Sequence, residues 1–395
     1  MHIVAQRKGI IIEMNKKFVL VPDSFKGTIS AEEVCSIMAE QIYRHFPSAT
    51  VVSIPVADGG EGTVDCFLSA VGGQKKFVTV KNLYMQNTEA YYGKLNNGSI
   101  VIETASCAGL PMIIGKPAPL EVTTYGVGEL ILQAACHENP SPNTPIIVGL
   151  GGSATTDGGC GLACALGVTF YDNSGKSFIP TGGSLEQIAH IDTSKLNAAV
   201  RRIPIVAMCD INNPVYGPMG AAYVFSPQKG ASPDEVALLD RGLRHLSKII
   251  KQDLKIDISN LPGGGAAGGV GAGMVAFLKA QLRMGIETVL DAVNFENVIQ
   301  DADMILTGEG KFDGQSLHGK VIAGVTRRAR SVGVPVIAVV GGIGEGTEDA
   351  YQDGLSAVFS TNRLPIDFRL SRLDAKPNLA LTVDNIMRLI KCVKP

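Results

Sequence analysis

Carboxylates set among glycines recur at the ends of apolar runs in this chain. After Val21 comes Pro22-Asp23-Ser24-Phe25-Lys26-Gly27, and after Val56 comes Ala57-Asp58-Gly59-Gly60-Glu61-Gly62-Thr63. After Leu150 comes Gly151-Gly152-Ser153-Ala154-Thr155-Thr156-Asp157-Gly158-Gly159. Met208 is followed by Cys209-Asp210-Ile211-Asn212-Asn213, and Leu306 by Thr307-Gly308-Glu309-Gly310-Lys311-Phe312-Asp313-Gly314. Phosphoryl transfer calls for this combination. Glycine lets backbone N–H groups approach phosphate oxygens. Carboxylates hold Mg2+, usually one or two of them with several waters retained. A lysine neutralises charge spreading over the transferring group, and an aspartate accepts the proton of an attacking hydroxyl. Any one such loop reads equally well as turn chemistry. Five at the same kind of strand end point to a site, because ligands of open α/β sheets bind outside the carboxyl ends of the strands.

Other signals are weaker. Residues 314–320 match the first seven positions of a P-loop, but Val321 stands where Ser or Thr would ligate Mg2+ and no strand directly precedes them. A helical turn is expected there, with Lys320 near phosphate. Gly271-x-Gly273-x-x-Ala276 is similar to a dinucleotide fingerprint but follows a glycine tract instead of a clear strand. His318, beside the Glu309/Asp313 loop, reads first as a hydrogen-bonded structural residue. Ser153 lacks the second glycine of a nucleophile elbow.

The elements that must position these loops alternate. Lys17 to Pro22 reads as a buried strand, followed by a helix with Ser30 as N-cap and Glu33 three residues on, then an apolar stripe of Val34, Ile37, Met38 and Ile42. Residues 50–56 read as a second strand and residues 63–71 as a second helix, so a parallel α/β sheet is expected. Near residue 80 the pattern changes. Asn96-Asn97-Gly98 and Asp172-Asn173-Ser174-Gly175 mark hairpins. Residues 145–150 and 203–208 read as central strands, and Ser232-Pro233-Asp234-Glu235 opens a long helix. Regular alternation resumes near residue 285. The simplest arrangement is one α/β domain split in sequence, residues 1–80 plus 290–395, with a mixed α/β domain inserted over 81–289 and the active site in the cleft between them.

Composition sets the outer limits. With 395 residues, 45% apolar and 18% charged, the chain suits a well-packed enzyme of more than one domain. A net charge of −2 without a Lys/Arg run argues against nucleic acid. No apolar stretch is long enough to span a membrane. The eight cysteines form no CxxC pair, so they are expected as reduced thiols of a cytoplasmic protein without a disulfide or zinc framework. The first thirteen residues form no signal peptide and are expected as a disordered extension.

The motifs together resemble the bacterial glycerate kinase family that includes the glycerate 2-kinases of glyoxylate and galactarate metabolism. The match runs from about residue 17 to the C-terminus and takes in the five loops above, Asn213-Pro214 and the tract Gly263-Gly264-Gly265-Ala266-Ala267-Gly268-Gly269. The resemblance implies a discontinuous flavodoxin-like (Rossmann-like) domain and an inserted domain with a restriction-enzyme-like core. It also implies ATP-dependent phosphorylation of D-glycerate, giving 2-phosphoglycerate and ADP. On this reading Lys26 and Ser24 bind substrate or phosphate, and Gly151, Gly152, Ser153, Thr155, Asp157 and Lys320 meet the nucleotide. Asn212 and Asn213 touch substrate and orient Asp210. Asp58, Asp210, Glu309 and Asp313 are the pool for Mg2+ ligation and general base, with Asp210 favoured as base. The partners expected are small molecules only, for a monomer or homodimer. Rival readings are an NAD-dependent hydroxyacid dehydrogenase using the Gly271 region and a non-catalytic metabolite sensor on a kinase scaffold.

Overall fold

The computed structural model describes residues 15–57, 59–317, 320–364 and 372–393. The extension expected over residues 1–13, together with Asp58 and His318, lies outside them. The chain divides into two compact units, each drawn from separated stretches: residues up to 54, 296–314 and from 325 in the first, residues 55–295 and 315–324 in the second.

The first unit is built on five parallel strands, Lys17–Pro22, Thr50–Ser53, Met304–Gly308, Val336–Val340 and Leu355–Ser360. Numbered along the unit, they lie side by side in the order 2-1-3-4-5, which is the flavodoxin order. Val336–Val340 is buried along its whole length, as expected of a strand covered on both faces. Helix Ala31–His45 starts at the expected capping box, with Glu33 N–H donating to Ser30 Oγ at 3.2 Å. Its buried stripe of Val34, Met38 and Ile42 packs with Phe18, Leu20 and Leu306 of the sheet and with Val383 and Met387 of the last helix, Ala375–Cys392.

In the second unit six strands lie side by side in chain order: Gly73–Lys81, Asn87–Leu95, Ile100–Glu103, Ile146–Gly149, Ile205–Met208 and Gln281–Arg283. The first two pairings are antiparallel and the remaining three parallel. The turn at residues 96–98 forms with Gly98 at φ +89°, and Asp172 and Gly175 close the second hairpin within a small three-stranded sheet. Helix Pro233–Leu254 carries its capping box at Ser232 and Glu235.

The expected boundary near residue 80 falls inside this unit. Strand Gly73–Lys81 pairs along all nine of its residues with Asn87–Leu95, so residues 55–80 go with the inserted stretch. Only Val80 of that strand is buried. Its Gln74, Lys75 and Lys76 give no alternating apolar pattern, and that is why it escaped a sequence reading. Among the described residues no helix is long and apolar enough to cross a membrane.

Candidate active site

In the first unit, strands Lys17–Pro22 and Met304–Gly308 pair with Pro22 opposite Gly308, so their carboxyl ends coincide. Strand order reverses between these two neighbours, and in a doubly wound sheet this switch point is where ligands bind. The loop with Ser24 and Lys26 and the loop with Glu309 and Asp313 both leave from it. Asp23 N–H donates to Gly308 O at 2.8 Å, tying one loop to the root of the other. A Cβ on Gly310 would lie 3.5 Å from Lys26 N, so the backbones run in contact. Lys26 is exposed and Ser24 half-buried. Glu309 is only 5% exposed, while Asp313 pairs through Oδ2 with Lys311 at 2.9 Å. The sequence-predicted residues of this unit therefore lie on two loops that leave the carboxyl ends of neighbouring strands.

In the second unit, strands Ile146–Gly149 and Ile205–Met208 are in register, with Gly149 opposite Met208. Their loops carry Gly151–Asp157 and Asp210. Gly151 N–H donates to Gly59 O at 2.9 Å, and a Cβ on Gly151 would stand 2.6 Å from Gly60 N. A Cβ on Gly149 would stand 2.4 Å from Gly59 O. Two glycine loops thus meet backbone to backbone, an approach that only glycine allows. Ala154 N–H goes to Ala108 O at 2.8 Å and Thr155 N–H to Ser153 Oγ at 3.3 Å. Among the described residues, the amides of Gly152 and Ser153 have no protein acceptor. Gly152 is exposed, with φ +70°. These two N–H groups are the part of the loop able to meet an anion.

The rest of the loop is structural. Thr155 is fully buried, its hydroxyl 3.0 Å from Ser153 Oγ. Asp157 is also fully buried. Its carboxylate accepts from Thr124 N–H and Thr124 Oγ1 (2.8 Å each), Gly159 N–H (3.0 Å) and Gly161 N–H (3.2 Å). Burial pushes the Asp157 carboxyl up, against the pull of these donors. Lys229, 2% exposed, donates to Thr155 O at 2.6 Å. Burial pushes its ammonium down to about 7, with Asp157 acting the other way.

Asp210 is half-buried, and Oδ1 accepts from Gly285 N–H at 2.7 Å, at the start of helix Gly285–Ala292. This corrects the expected orienting role of Asn212 and Asn213. Asn213 Nδ2 donates instead to Met219 O at 2.8 Å, and Asn212 is exposed. A Cβ on Gly285 would come 3.1 Å from Asp210 Oδ2, so glycine there lets the carboxylate sit over the helix start. Beside it, burial pushes the Cys209 thiol up to about 11, which leaves it a protonated packing group.

The tract at residues 263–273 fills space with backbone. A Cβ on Gly265 would stand 2.3 Å from Pro214 O, one on Gly268 2.1 Å from Thr155 O, and one on Gly273 2.2 Å from Gly158 O. The glycines thus buttress the Asp210 and Gly151 loops, and the dinucleotide reading fails because that space is taken by the protein's own chain. Of the near P-loop, the described residues begin with a 3-10 turn. A two-residue strand, Lys311–Phe312, and the 3-10 turn Gly314–Leu317 precede half-buried Lys320, which stands just before helix Val321–Arg330.

Sequence reading missed three groups. Glu103, 1% exposed, accepts from Val64 N–H at 2.6 Å and Tyr91 Oη at 3.1 Å, and so caps the helix that follows the Gly59–Gly62 loop. Lys229 and Gly285 act through a carbonyl and an amide, for which no local residue pattern exists. Among the described residues no three or more His, Cys, Asp or Glu side chains converge as for a metal ion. Mg2+ takes one or two carboxylates and completes its shell with water and substrate phosphates. Asp210, Glu309 and Asp313, each at a strand's carboxyl end, have the hard oxygen donors it prefers.

The chain is similar to known proteins over most of its length. A family model described as the Glycerate kinase family matches residues 18–391. A glycerate kinase of Bacillus cereus is 41% identical, covering 95% of this chain and 98% of its own. A glycerate 2-kinase of Escherichia coli is 42% identical, covering 87% and 90%. A solved structure from Salmonella typhimurium LT2, assigned to glycerate kinase 2, superposes with a TM-score of 0.83 at 38% identity, covering 96% and 99%.

Proposed function

We infer, from the premise that this chain belongs to the glycerate kinase family, how its loops carry out the phosphorylation of glycerate. The chain is a kinase, and membership of a kinase family implies ATP as the donor. The finer reading is that the acceptor is D-glycerate and the product 2-phosphoglycerate. The observation that carries it is the coincidence of two acidic, glycine-rich loops at the switch point of a 2-1-3-4-5 sheet, in a chain that matches curated glycerate and glycerate 2-kinases almost end to end.

Asp210, held by the Gly285 amide, takes the proton of the attacking hydroxyl. The Gly152 and Ser153 amides donate to nucleotide phosphate oxygens. Lys26, long and exposed, reaches an anionic oxygen of the substrate carboxylate or of the transferring group, and Ser24 and Asn212 offer neutral hydrogen bonds to the substrate. Glu309 and Asp313, with Asp58 and Asp210, form the carboxylate pool for Mg2+, and Lys320 supplies a further cation for phosphate. Bound magnesium would neutralise charge on the β- and γ-phosphates. Thr155 and Asp157 support the nucleotide loop from behind it.

The test is ADP release with D-glycerate and Mg-ATP, with the product identified by 31P and 13C NMR. Stoichiometric ADP and a phosphate on C2 are expected. No ADP release overturns the reading, and a phosphate on C3 overturns its regiochemistry.

A further inference from the structure

Lys229 is a buried lysine that the mechanism above does not use. It ends the short turn Pro227–Lys229 that follows helix Ala221–Phe225. The turn is closed by Lys229 N–H donating to Ser226 O at 3.0 Å and by Ala231 N–H donating to the same oxygen at 3.1 Å. From this turn two side chains reach the Gly151 loop at adjacent residues. Lys229 Nζ donates to Thr155 O at 2.6 Å, and Ser226 Oγ lies 3.2 Å from Thr156 Oγ1. All four residues are buried. On its far side the same stretch is pinned by the Asp157 carboxylate and by Gly158 N–H donating to Gly268 O at 3.1 Å.

A buried ammonium is costly unless something compensates it, and filling space would call only for an apolar side chain. The geometry puts the single Lys229 bond two residues from the Ser153 amide, where the loop turns from exposed to buried. We propose that Lys229, seconded by Ser226, is a positioning residue for nucleotide binding. It holds the Thr155 carbonyl and so fixes where the Gly152 and Ser153 amides stand. The proposal rests on the reading that these amides meet ATP.

The charge-neutral pair K229M/D157N removes the tether without leaving Asp157 as an uncompensated buried anion, and it is read against D157N alone, which loses the same carboxylate and keeps the tether. The steady-state kinetics of both are to be measured on the full chain beside S226A and S153A. Relative to D157N, the KM for ATP of K229M/D157N is expected to rise at least fivefold while that for glycerate stays within twofold. S226A is expected to raise the KM for ATP about twofold to threefold, and S153A to raise it as well. A purely structural Lys229 would lower the melting temperature and leave the KM for ATP in place, and that result overturns the proposal. So does a rise confined to the KM for glycerate. Should K229M/D157N not fold, S226A decides: an unchanged KM for ATP overturns the proposal. If S153A leaves the KM for ATP untouched, the nucleotide reading of the loop falls and the proposal with it. If S153A raises it and the tether variants do not, only the positioning role falls.

Discussion

Asp210 and Asp157 are both aspartates among the loops that follow strand ends, yet their surroundings differ. Asp157 is fully buried and accepts five hydrogen bonds, from Thr123, Thr124, Gly159 and Gly161 of its own unit, so it organises a loop. Asp210 is half-buried, with one oxygen on the Gly285 amide, so its side chain is reached by solvent where that of Asp157 is not. Replacing Asp210 by Asn is expected to lower kcat by about 100-fold or more, the scale of a lost general base, with the melting temperature close to wild type. Near-normal turnover would remove Asp210 from the mechanism. Lys229 has a pH signature of its own. Its folded-state value of about 7 lies below the ordinary 10.5. Between those two values the unfolded chain binds a proton that the folded chain does not. Unfolding free energy is then expected to rise with pH from about 7 towards 10.5, and urea titrations of wild type against K229M should show that slope lost in the variant. Both aspartates stood out in the sequence as candidates. Which of them is sealed into its loop was not legible, because that depends on donors from Thr124 and Gly285, 33 and 75 residues away.

At the scale of elements, strand ends matter most. The loops holding Gly59 and Gly151 pass so closely that an added Cβ at Gly151 would lie 2.6 Å from Gly60 N, where backbone on both sides cannot easily give way. Gly151→Ala is expected to cost about 1–3 kcal/mol, the usual penalty of overpacking, and to depress kcat as the loop shifts. A thermal melt and a rate assay on the same preparation check both. By contrast, Ser232→Ala removes only the capping box of helix Pro233–Leu254. It is expected to cost about 1 kcal/mol and leave kcat unchanged. The capping boxes at Ser30 and Ser232 and the hairpins at residues 96–98 and 172–175 were readable because their signals are local. Strand Gly73–Lys81 was not, because one buried residue in nine leaves no period to read.

Over the whole molecule, the expected need for magnesium separates chemistry from folding. Chelation is expected to abolish ADP release while leaving the melting temperature of the ligand-free enzyme within about a degree, since Mg2+ sites of kinases rely on substrate phosphates for much of their shell. A large loss of thermal stability on chelation would instead indicate a structural ion. The sequence by itself determined the α/β class, the chain's return to its first sheet after residue 285 and, through the density of its motifs, the family. Those are properties of short segments and of their order along the chain. The tertiary structure alone decided that the strands before Ser24 and Glu309 are neighbours at the switch point, and that residues 55–80 belong with the inserted stretch. It also decided that the glycine tract at 263–273 is packing for two loops and not a cradle for a dinucleotide. Each of these turns on contacts between residues far apart in sequence, down to single amides and carbonyls whose availability no residue type reveals.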